Sequence, residues 1–307
     1  MFRERIPGKQ LSAWLFAAIV PVILQQIGGS WIWALCLGGL GIVIASVLWR
    51  KPREPGKTEC AILLLYITIL LGQLLAYTAQ SWPVGNSDPA VPLILMALAV
   101  WSSQRGLSAA ARVGAVLYWA VLGLYFVVCI SGVKNVKFEW LCPEMTGVSA
   151  IIPILFMLPG ASSILLGKKG SPGIKGALIV VFATMGAAVT AGILSPAMAS
   201  KLPNSFYEMG RSQDLLGVAR RFEALICAGT TVGWFSLISL LLTLCGTYAE
   251  KISSGKGKAG VLLAAIAAAG SKLCGLHITD EYLLLTGTVF WVVIPLLTQG
   301  LGREKKS

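Results

Sequence analysis

Apolar residues run along this chain in long stretches separated by short polar segments, and the length of each stretch predicts helices rather than strands. Ten runs are read as helices: Leu11–Ile27, Trp31–Trp49, Cys60–Ala79, Ala90–Ser103, Leu107–Ser131, a sixth from Ile151 to the Lys168–Lys169 pair, Ile174–Ala199, Ala224–Thr247, Ala259–Leu276 and Tyr282–Leu301. Crossing the hydrocarbon of a bilayer takes roughly 20 residues of helix. The fourth run falls short of that, so it must tilt among neighbours or draw on its flanks. Between the seventh and eighth runs, Pro203 to Glu223 alternates apolar with charged positions, which predicts an amphipathic helix lying at the membrane surface.

Two runs are irregular. The sixth, Ile151 to Leu165, carries Pro159, Gly160, Ser162 and Ser163 at its middle. Proline removes a backbone donor and glycine is the poorest helix former after it, so a break at mid-depth is expected there. The first run contains Pro21 and ends in Gln25-Gln26-Ile27-Gly28-Gly29. Ten runs divide into five and five, and the irregular ones open each half. Five is odd, so the halves enter the membrane from opposite sides and form an inverted repeat. Interrupted helices at matching positions of inverted halves point to a mid-membrane site. The competing reading is that these residues serve only helix packing, since proline and glycine are common in transmembrane helices.

The expected fold is therefore an all-α polytopic membrane protein of about ten transmembrane helices, a 5+5 inverted repeat with broken helices 1 and 6. One integral membrane domain fills residues 1–307, with halves at about 1–132 and 147–307. Composition agrees: 56% of the residues are apolar and 12% are charged, about half the charged share of a soluble domain. The net charge of +12 does not point to nucleic acid, because the 25 Lys and Arg sit in short loops rather than in a basic stripe. Seven scattered cysteines and one histidine form no metal, haem or disulfide pattern. No cofactor motif or catalytic constellation is present, and an enzyme is not expected.

A site at two facing helix breaks suits a zwitterion, with helix-end amides for a carboxylate and freed carbonyls for an ammonium. The candidate ligand-binding residues are Pro21, Gln25, Gln26, Gln73, Tyr77, Pro159, Gly160, Ser162, Ser163 and Trp234, with Tyr66 as a further wall. A tyrosine or glutamine in a span more often serves a helix-to-helix hydrogen bond than a ligand. The span interiors hold almost no ionisable residue, whereas ion-coupled carriers usually keep one.

Five segments, in order, resemble the permease-like B subunit of bacterial spore germinant receptors, a branch of the amino acid–polyamine–organocation transporter superfamily. They are Ile6–Gln10 (IPGKQ), Gly29–Trp33 (GSWIW), Gln104–Arg112 (QRGLSAAAR), Arg211–Leu225, and Ile294–Leu297 (IPLL) before a basic tail. The chain departs from the family by its shorter length, by Pro21 where the family has glycines, and by Ala161 where it has a carboxylate. The resemblance implies a subunit of the cell or spore inner membrane that senses a small amino-acid-like ligand. Its implied partners are an A-type membrane subunit and a C-type lipoprotein. An amino acid transporter of the same fold and a structural subunit without ligand are the alternatives.

Orientation follows from charge. With the N-terminus inside, 18 of the Lys and Arg fall on the cytoplasmic side and seven outside, as the positive-inside rule requires. Both termini are expected in the cytoplasm. In a background without native cysteines, a thiol introduced at Asn86 should react with an impermeant reagent and one at Lys256 should be shielded. The opposite pattern would remove the ten-span topology.

Overall fold

The computed structural model describes residues 6–50, 55–80, 90–141, 149–165, 173–202, 204–212, 222–276 and 278–297, and these are helical with short connections. In chain order the helices are α1 (Gly8–Gln26), α2 (Trp31–Arg50), α3 (Lys57–Gln80), α4 (Ala90–Gln104), α5 (Leu107–Val133), α6 (Ile151–Leu165), α7 (Gly173–Leu194), the single turn α8 (Pro196–Ala199), α9 (Ser205–Arg211), α10 (Phe222–Ile252), α11 (Gly257–Leu273) and α12 (Asp280–Thr288). A π-helical turn at Val289–Val293 carries α12 on to Leu297. Each of the ten expected spans has its helix. Of the expected surface helix, Ser205–Arg211 is helical, and 213–221 lie outside the described residues.

Among the described residues seven helices are long and apolar enough to cross a membrane, while α4, α6 and α11 are shorter. Contacts between helix ends divide those ends into two faces. The α1–α2 link sits on Ala199 beyond α7, the Trp31 indole donates to the Leu141 carbonyl at 3.3 Å, and the Lys137 amide donates to Gly192 at 2.8 Å. These, with the bonds from α3 to α11 and α12 described below, gather the end of α1 and the start of α2 on one face. The opposite face holds the α4–α5 and α10–α11 turns.

At the centre stands α1. Its side chains are buried almost without interruption from Leu11 to Gln25, enclosed mainly by α5, α10 and α7. A helix that is apolar on all sides suits burial among other helices as well as contact with lipid, and α1 takes the first course. The closest seam joins α2 to α6. A β-carbon on Gly41 would lie 2.7 Å from the Phe156 carbonyl oxygen, and one on Gly160 would lie 2.8 Å from the Ala45 Cα. Lipid tails are as apolar as leucine, so such small residues hold membrane helices together by close approach of backbones.

The breaks expected in helices 1 and 6 are not unwound segments. Pro21 lies inside a continuous α1 and Pro159 inside a continuous α6. Each proline forfeits one backbone donor, whereas unwinding would free several groups where no water can serve them. The irregularity of the first helix sits at its end, where Gly28 (φ 60°) and Gly29 (φ 86°) take the left-handed backbone that glycine tolerates.

Gly41→Ala is expected to lower stability by about 1–3 kcal/mol, because the added methyl meets backbone. Gly39→Ala, two residues away with nothing within 4 Å of the new carbon, should leave the melting temperature in detergent unchanged or slightly higher. Equal melting of the two variants would contradict the seam.

Candidate functional site

The residues singled out from sequence fall into three groups in space. The first lies where α1 crosses α10. Pro21 seats on Gly233, where a β-carbon would come within 2.5 Å of the proline ring. One turn further along α1, the Gln25 Oε1 accepts a 2.7 Å hydrogen bond from the Trp234 Nε1–H. Both side chains are buried. An indole N–H left unpaired there would cost about 1–3 kcal/mol, so Trp234 requires this acceptor. Gln26 follows, half-buried at the end of the helix.

The second group is on α6 and faces other partners. Gly160 is directed at Ala45 of α2. The Ser162 hydroxyl is buried and donates to the Pro159 carbonyl at 3.1 Å, so it serves its own helix. Pro159 lines a narrow apolar crevice with Gly41, Ala45, Phe156, Gly176 and Val180, with room for about one water. Ser163 belongs to α6, and its side chain lies outside the described residues.

The third group ties α3 to the last two helices. Tyr77 donates from its hydroxyl to the Asp280 Oδ1 at 2.6 Å. This is a charge-assisted bond. Lys272 of α11 donates to the Leu75 carbonyl at 3.3 Å. Gln73 is buried on α3. Deeper in the bundle, the Tyr66 ring stacks on Phe290 at 4.7 Å and meets Trp291 edge-on at 5.7 Å.

The structure thus brings Pro21, Gln25 and Trp234 to one contact between helices, gives Pro159, Gly160 and Ser162 to α6 and its seam with α2, and places Tyr77 at a helix end. Residues that sequence reasoning did not single out complete each group: Gly233 beneath Pro21, Ala45 beneath Gly160, and Asp280 opposite Tyr77. The spacing of Gly41 and Ala45, small residues four apart in an apolar run, is a readable sign of a packing face. Nothing in the sequence pairs Tyr77 with Asp280.

This arrangement of helices recurs among solved structures. A Na+-coupled sialic acid symporter, solved with substrate bound in an outward-open state, matches with a TM-score of 0.56 at 12% identity, over 94% of this chain and 78% of its own. MhsT in complex with L-phenylalanine matches with a TM-score of 0.57 at 14% identity, over 96% of this chain and 87% of its own. The fold is that of LeuT-type secondary transporters.

At these identities the likeness is one of fold. The five-plus-five inverted arrangement expected from the sequence is consistent with the LeuT-type fold, and the long apolar helices agree in making the chain an integral membrane protein. No protein-family model matches the chain, and no curated protein matches it in sequence.

Gln25→Ala should lower stability by about 1–3 kcal/mol by orphaning the Trp234 N–H. Gln25→Leu combined with Trp234→Phe removes both polar partners and should cost less than the two single changes added together. A double-mutant cycle in detergent, read by thermal unfolding, measures the difference. Strict additivity would mean that the pair does not act as a unit.

Proposed function

We propose that the chain is a permease-like receptor subunit of the spore germinant type, which senses a small amino-acid-like ligand where α1 crosses α10. One observation carries this reading above the others. In a LeuT-type fold, every Asp, Glu, Lys and Arg of the spanning helices lies within two turns of a helix end. Carriers that couple transport to an ion usually keep ionisable groups deeper. A site without a coupling charge suits recognition better than concentration.

The Gln25–Trp234 pair supplies the chemistry. Once parted, the indole N–H is a donor for a carboxylate and the amide oxygen an acceptor for an ammonium. The two groups that satisfy each other in the closed contact are those a zwitterion would satisfy in their place. MhsT, of the same fold, holds L-phenylalanine, which supports an amino-acid-like ligand. Pro21 gives the neighbouring turn of α1 one backbone bond fewer to break on opening. The signal passes to an A-type membrane subunit and a C-type lipoprotein in the inner membrane, with both termini in the cytoplasm.

An amino acid transporter of the same fold is the second reading, favoured by the fold itself. In spores, Gln25→Ala and Trp234→Phe should abolish or greatly weaken the response to amino acids at normal membrane abundance, with Gly39→Ala as the unaffected control. A normal response in both variants would remove the site from α1 and α10. Purified protein in liposomes should show no uphill accumulation of amino acids, and uptake abolished by an uncoupler would establish the transporter instead.

A further inference from the structure

The turn between α4 and α5 carries two arginines that the ligand reading does not use. Arg105 follows the end of α4 and Arg112 lies in the second turn of α5. Residues 90–133, which make up both helices, contain no Asp or Glu, and neither arginine forms an ion pair among the described residues. The Arg105 guanidinium lies over the ring of Trp101, 5.0 Å from its centroid, and that tryptophan is 62% exposed. On α5 the positions 112, 116 and 119 form one stripe, spaced four and three residues apart. Val116 and Trp119 are 71% and 70% exposed.

This corner lies at the ends of two helices. It closes the face of the bundle that also carries the α10–α11 turn with Lys251, Lys256 and Lys258. From Arg112 the apolar stripe runs about 10 Å along α5 before reaching Trp119, at 1.5 Å per residue. Tryptophan is favoured at the level of lipid headgroups, and arginine binds phosphate through two parallel N–H bonds.

We propose that the α4–α5 corner binds the phosphate of an anionic phospholipid, with its acyl chains laid along Val113, Val116 and Trp119. The two guanidiniums favour an anion and the exposed apolar stripe beneath them favours hydrocarbon; a phospholipid supplies both in one molecule. The site is independent of any ligand between α1 and α10.

Native mass spectrometry of the full chain in detergent, titrated with phosphatidylglycerol and phosphatidylcholine, tests the assignment. The parent should retain phosphatidylglycerol in preference. Arg105→Gln and Arg112→Gln should each weaken that binding about fivefold, in line with the usual effect of one basic residue at a membrane surface, and the double variant by about the product. Lys258→Gln, on the same face but on α11, should bind as the parent does. Both arginines are exposed, so the variants should melt like the parent, and the single changes carry the test should the double one not. Excess glycerol phosphate should fail to displace the lipid; complete displacement would make this a site for soluble phosphate and overturn the lipid assignment. Undiminished phosphatidylglycerol binding in the single and double variants, or equal retention of phosphatidylcholine, would also overturn it.

Discussion

Hydrocarbon offers no hydrogen bonds, and the structure follows from that constraint. Each backbone amide and carbonyl in a span must find its partner inside the protein, at a cost of several kcal/mol when it does not. Proline inside α1 and α6 therefore loses one bond without opening the helix around it. Many threonine and serine hydroxyls answer the same pressure by turning back onto their own helices, although those of Thr184, Ser236 and Ser239 are buried without a partner among the described residues. Thr68 donates to Leu64, Thr190 to Gly186, Thr230 to Ile226, Thr243 to Ser239 and Ser162 to Pro159, at 2.7–3.1 Å. A polar residue in these spans is thus more often a satisfied part of its helix than a free hand for a ligand.

Against that background the polar bonds that cross between helices stand out. Within the bundle, Gln25–Trp234 joins α1 to α10 and the Ser103 hydroxyl reaches the Ser239 carbonyl at 3.1 Å. At the helix ends, Tyr77 and Lys272 tie α3 to α12 and α11. Most of the remaining adhesion is close packing of small residues on larger ones, as at Gly41 on Phe156 and Gly233 on Pro21. Packing of that kind fixes position strongly but carries little chemical specificity. A ligand that must be recognised by hydrogen bonds has more to gain from the Gln25–Trp234 contact than from the α2–α6 seam.

The outer surface shows the complementary half of the same physics. The longest uncovered faces are those of α2, α5 and α12, where leucine, valine, phenylalanine and tryptophan look outward. In water such faces would be liabilities; in lipid they are the normal solvent boundary. Charge gathers only where the helices end.

Much of the fold could be read from the sequence because a bilayer makes hydrophobic length almost equivalent to helix. The ten runs, the helical part of Pro203 to Glu223 at Ser205–Arg211 and the turn at Gly28–Gly29 follow from local rules that need no knowledge of neighbours. The site was less legible. Pro159 and Gly160 announce a weak point in a helix, but whether that weakness opens to a cavity or closes on another helix depends on what lies opposite, and Ala45 is more than a hundred residues away in the chain. Gln25 and Trp234 could each be named as candidates; that they bond to each other was decided only when α1 and α10 crossed. Composition and local spacing determined which residues enter the membrane. The tertiary structure decided which of them touch, because contact between helices rests on small-residue complementarity and single hydrogen bonds, and neither has a period that a linear sequence can display.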